Sequence, residues 1–84
     1  MNKETAINEF IERLENLHEV EYGDFKRKLS NYILRLEQGL QTHDSKSESL
    51  FRTMRNKAIY NPSGNIEETR LDTIELAEKL KLIV

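Results

Sequence analysis

Eighty-four residues without a cysteine allow one domain at most and exclude a disulfide framework or a cysteine metal cluster, so stability must come from packed helices, oligomerisation or a partner. A net charge of −2 and a pI of about 5.7 lack the basic footprint of a dedicated nucleic-acid binder. Charged residues at 33% and aromatics at 7% lean towards disorder, but the 37% that are hydrophobic recur with helical periodicity, which marks a folded chain.

The first helix is expected over about residues 3–22, with Asn2 as N-cap and Glu4 favourably placed for the helix dipole. Ala6, Ile7, Phe10, Ile11, Leu14, Leu17 and His18 fall on one face at 100° per residue. Gly23 suits a left-handed C-cap, and Asp24 caps the next helix, a link short enough to favour antiparallel neighbours. The second helix, about 25–41, presents Phe25, Leu29, Tyr32, Ile33, Leu36 and Leu40 inward and leaves Leu34 on the opposite side. Gly39 costs it about 1 kcal/mol.

Residues 41–47 are polar and read as a loop. Ser45 and Glu48 have capping-box spacing for a third helix over about 46–60, whose stripe is Leu50, Phe51, Met54 and Ala58. Pro62 stops that helix near Tyr60. Pro62 and Ser63 then suit the centre of a turn, with Gly64 supplying a positive φ. Asn65 with Glu68, or Thr69 with Asp72, starts a last helix over about 66–82. Its stripe is Ile66, Thr73, Leu76, Ala77, Leu80, Ile83 and Val84, and Leu71, Ile74 and Leu82 lie off it. The expected architecture is a single all-α domain, a small up-down bundle of three or four helices.

Charge is distributed in three runs. Residues 1–24 carry seven acids and two bases, residues 25–60 eight bases and three acids, and residues 61–84 five acids and three bases. The chain is acidic, then basic, then acidic. Lys28 and Arg35 of the second helix can answer Glu12, Glu15 and Glu19 across the first hairpin.

Catalytic chemistry finds little support. There is no cysteine nucleophile, no glycine-flanked serine elbow and no glycine-rich phosphate loop, the only glycines being Gly23, Gly39 and Gly64. The two histidines, His18 and His43, lie in different segments without a histidine partner at helical spacing, so neither a metal site nor a cofactor is expected. His18 sits at the edge of the first stripe. The start, Met1-Asn-Lys-Glu-Thr5, has no apolar run of signal-peptide length. The longest uninterrupted apolar run is Leu82-Ile-Val84, so a cytoplasmic protein that neither spans nor coats a membrane is expected.

Ile59-Tyr-Asn-Pro-Ser-Gly-Asn65, followed by Glu67-Glu68 and a final helix, resembles the Tyr-Tyr-Pro turn, acidic pair and last helix of the nuclease-colicin immunity proteins. The resemblance covers about the last quarter of the chain and implies a small helical inhibitor of a toxin nuclease. Asn61 stands where that motif has its second tyrosine, and Arg52, Arg55 and Lys57 make the approach to the turn basic.

Three functions follow. The first is a non-enzymatic protein–protein interaction module: a regulator, adaptor or assembly subunit. Its contact surface is Leu71, Ile74, Leu82, Ile83, Val84 and Leu34, and its partner is itself or another protein, a homodimer being the simplest solution. The second is a nucleic-acid-binding regulator in which Arg52, Arg55 and Lys57 reach phosphates. The third is the toxin-immunity or inhibitor type.

Overall fold

The structure, a computed structural model, describes residues 2–41, 44–60 and 65–84. Among the described residues the fold is all-α, with four helices and no strand: α1 (Lys3–Glu15), α2 (Tyr22–Leu40), α3 (Ser45–Ile59) and α4 (Ile66–Ile83). The helices close a ring in which α1 packs on α2, α2 on α3, α3 on α4 and α4 back on α1. Lys81 Nζ donates to Asn8 Oδ1 (3.0 Å) at one end of the α1–α4 seam, and Arg70 donates to the Leu17 carbonyl at the other, so these two helices run antiparallel.

Each helix contributes most of the stripe expected of it, but His18 of the first stripe and Ile83 and Val84 of the last are exposed, because α1 ends before His18 and the last two residues run past the core. Ile7, Phe10 and Leu14 of α1, Phe25, Leu29 and Ile33 of α2, Phe51 and Met54 of α3, and Leu80 of α4 are buried in one core. α4 also turns Thr69 and Thr73 inward. Their hydroxyls are satisfied within the helix: Thr69 Oγ1 donates to the Asn65 carbonyl (3.0 Å) and Thr73 Oγ1 to the Thr69 carbonyl (2.7 Å). Bonding back one turn lets a threonine occupy a core position without stranding its oxygen.

The first connection differs from expectation. α1 ends at Glu15 rather than near residue 22, and α2 starts at Tyr22. Asn16 closes α1: its backbone N–H (3.1 Å) and its side-chain Nδ2 (3.0 Å) both donate to the Glu12 carbonyl. The Leu17 N–H bonds to the Leu14 carbonyl (3.3 Å) in a tightened last turn. Leu17 stays buried although the helix has ended, so the apolar stripe outlasts the helix. Gly23 therefore lies inside the first turn of α2 and is no C-cap. Asp24 sits there too, paired with Arg27 (3.2 Å) instead of capping. Tyr22 gains a core contact, and its hydroxyl donates to the Ala58 carbonyl of α3 (3.4 Å).

The other ends are chemically ordinary. Asn2 Oδ1 accepts from the Glu4 N–H (2.8 Å), and Asn65 Oδ1 from the Glu68 N–H (3.0 Å), as their side chains suggested. The cap of α3 is Asp44 and not Ser45: its carboxylate accepts from the Ser47 N–H (3.0 Å), which holds the Asp44 carboxyl below the usual range. An aspartate there offers the orphan amides a full charge as well as an acceptor. α2 ends on Gln41 in the left-handed region (φ 51°). Positions 42, 43 and 61–64, which include His43 and the expected Pro62-Ser63-Gly64 turn, lie outside the described residues.

Candidate interaction surface

Helix α4 packs on α3 along one side and α1 along the other, which leaves one line of it facing outward. Leu71 and Leu82 are on that line. They lie eleven residues apart, three turns and about 16 Å along the axis, and they are 64% and 86% exposed. Glu75 and Glu78 occupy the same line between them, and both are exposed. Among the described residues each glutamate is partnered along its own helix, Glu75 with Lys79 (3.8 Å) and Glu78 with Lys81 (3.5 Å). The outer crest of α4 is thus two isolated leucines framing two carboxylates.

The other expected contact residues separate from this crest. Ile74 is half-buried and packs against the core, because its position turns it towards α1. Ile83 and Val84 are about two-fifths exposed. Ile83 lines a shallow groove with Leu50 and Lys79, on the α3 side of α4. Leu34 is 52% exposed on α2, which lies diagonally across the ring from α4, so it cannot share one patch with Leu71 and Leu82. Val20 was absent from the expected surface, yet it is 89% exposed in the connection after α1. On the expected first helix it also falls well off the apolar stripe, so its exposure was legible from the spacing.

The candidate phosphate contacts are also divided. Arg55 is bonded to Glu37 of α2, and Lys57 to Asp72 of α4 (3.3 Å). Each therefore joins α3 to a neighbouring helix. Arg52 is exposed and makes no ion pair with a described residue. Of the expected cross-hairpin pairs, Lys28 meets Glu19, and that carboxylate, bonded to the ammonium, raises the Lys28 pKa. Arg35 instead borders a small cleft with Arg13 and Tyr32, and Glu12 and Glu15 stay in solvent.

A cleft of about 320 Å³ between α3 and α4 is lined by Thr53, Asn56, Lys57, Tyr60 and Asp72 among others. The Lys57–Asp72 pair crosses its wall, so its strongest charges already answer each other. No group of three or more His, Cys, Asp or Glu among the described residues is placed to hold a metal ion, and no described helix is long and apolar enough to cross a membrane. His18 is exposed in the α1–α2 connection.

No family model, curated protein or solved structure matches this chain. Most of the turn on which the immunity-protein resemblance rests lies outside the described residues.

Proposed function

We propose that this chain is a small, non-enzymatic, cytoplasmic protein–protein interaction module, a regulator, adaptor or assembly subunit, that docks through the outer crest of α4. The observation that supports it is the pair Leu71 and Leu82, both exposed on one line of a helix whose opposite side is fully used by the core. Single exposed leucines are ordinary on protein surfaces. Two on one line, with carboxylates between them, offer a contact both apolar anchorage and a charge pattern. The contact is with another copy or another protein. Engagement of Arg55 and Lys57 in ion pairs favours this reading over phosphate binding.

The test is the double variant Leu71→Ser/Leu82→Ser. It is expected to keep the helical circular dichroism of the wild type while losing association, whether seen as a lower solution mass or as loss of a captured protein. Loss of helicity would show the leucines to be structural. Association equal to the wild type would remove the crest from the contact.

A further inference from the structure

The ring order converts the acidic–basic–acidic run of the sequence into two halves of opposite charge. α1 and α4 are neighbours, as are α2 and α3. The first pair carries nine acids and five bases, net −4, and the second three acids and eight bases, net +5. Internal ion pairs use only part of this. Glu12 and Glu15 on α1 and Arg52 on α3 have no ion-pair partner among the described residues. Each half also has exposed leucine: Leu71 and Leu82 on the acidic side, Leu34 on the basic side. Arg27, exposed and seven residues before Leu34, lies on the same outward line of α2.

We propose that the chain self-associates head to tail, the acidic α1–α4 face of one copy seating on the basic α2–α3 face of the next. The inference rests on α4 being a docking crest and adds the identity of what covers it. A two-fold contact of α4 on α4 is disfavoured by charge. Bringing Leu71 onto Leu82 of a second copy in antiparallel fashion sets Glu75 against Glu78 of that copy, and like charges in contact cost affinity. The basic face offers Arg27, Arg52 and Leu34 to the same crest, opposite charge to the carboxylates and an apolar side chain to the leucines. The longest side of the bundle spans 32 × 22 Å, an upper bound of about 700 Å² per copy, so the contact reaches the size of specific interfaces only if it covers most of that side. Because the two faces lie on opposite sides of the bundle, the contact is heterologous, and an open row of copies keeps one free face at each of its two ends.

Two neutral knock-outs test this, one per face: Leu71→Ser/Glu75→Gln/Glu78→Gln on the crest and Arg27→Gln/Leu34→Ser on α2. All five positions are exposed, and circular dichroism checks that each variant stays helical. Solution mass by light scattering is expected to exceed 9.9 kDa for the wild type and to rise with concentration. The association should weaken about tenfold as ionic strength rises from roughly 0.05 to 0.5 M, because screening shortens the reach of the opposed charges. Each knock-out alone should remain monomeric. Their equimolar mixture should form a one-to-one complex and stop there, since one intact acidic face meets one intact basic face. Three results overturn the inference. If the crest variant is monomeric while the α2 variant associates like the wild type, the contact is crest to crest. If the mixture stays monomeric while the wild type associates, the two faces do not meet. If the wild type is monomeric throughout but binds another protein through Leu71 and Leu82, the docking crest stands and self-association falls.

Discussion

The guanidinium of Arg70 stacks over the ring of Phe25, 5.8 Å from its centroid. Arg70 belongs to α4 and Phe25 to the buried face of α2, so the contact crosses the bundle between helices that are otherwise diagonal. The same guanidinium donates to the carbonyl of Leu17, just past the end of α1, and to the Glu67 carboxylate (2.6 Å). One side chain, only 13% exposed, thereby fixes the connection where α1 stops before the expected boundary. Replacing it with alanine leaves the buried Leu17 carbonyl without that donor and removes the cation from the ring. Arg70→Ala is expected to cost about 2–3 kcal/mol in a urea titration. Arg70→Lys should recover only part, because an ammonium cannot keep both the planar stacking and the fork. A change below about 0.5 kcal/mol would mean the connection is held by Leu17 burial alone.

Asp44 anchors the start of α3 through its charge as well as its geometry. Asp44→Ala should lower the stability of the chain near neutral pH, as the loss of a charged N-cap does. Because the Ser47 N–H lowers the Asp44 pKa, the sign with pH follows directly. The contribution is present above the unfolded value of about 3.9 and is lost as pH falls through the lower folded value. Asp44→Asn should keep much of the cap while flattening this acid limb. Thermal melts from neutral pH down to about pH 2 check it, and an unchanged acid limb in the asparagine variant would remove Asp44 from the linkage.

Ile74 and Leu71 are three residues apart and were indistinguishable as off-stripe positions, yet burial separates them. Ile74→Ser should cost about 1–2 kcal/mol, because it withdraws a half-buried side chain from the core. Leu71→Ser should change stability by less than about 0.5 kcal/mol and act only on association. Equal denaturation midpoints for the two variants would contradict this division.

Two further substitutions separate local preference from packing. A methyl group added at Gly39 meets nothing within 4 Å, and the residue lies inside α2. Gly39→Ala should therefore stabilise by about 0.5–1 kcal/mol. Ser47 is buried, and its hydroxyl lies beside the Asp44 carboxylate that caps α3 and helps to lower its pKa, so Ser47→Ala should be slightly destabilising, by less than about 1 kcal/mol. Chemical denaturation of both variants measures this, and a loss of more than about 1 kcal/mol at either position would show a contact absent from the present account.

The helices and most of the core were legible because the 3.6-residue rhythm survives in every segment: Ile7, Leu14, Phe25, Leu29, Phe51, Met54 and Leu80 are buried as their spacing requires. The end of α1 was not, because Leu17 remains a core residue beyond the helix and keeps the rhythm unbroken. Arg70 could not be found from sequence at all. Its partners are a backbone carbonyl 53 positions away and an aromatic face on another helix, neither of which leaves a local pattern. The surface was half legible: Leu71 and Leu82 do face outward, while Ile74 differs from them only by its turn towards α1. That Leu34 lies on the far side of the molecule follows from the ring order of the helices, which hydrophobic spacing does not encode. The same ring order brings the first and last acidic segments together.

The most direct test of the docking crest is the movement of backbone amide resonances in a dilution series of the isotope-labelled wild-type chain. Resonances of Leu71, Glu75, Glu78 and Leu82 are predicted to shift progressively with concentration, together with those around Leu34 on the opposite side, while core residues such as Leu29 stay fixed. If no resonance moves and the linewidths remain those of a 9.9 kDa monomer throughout the series, the crest does not dock a second copy and the account of self-association is contradicted.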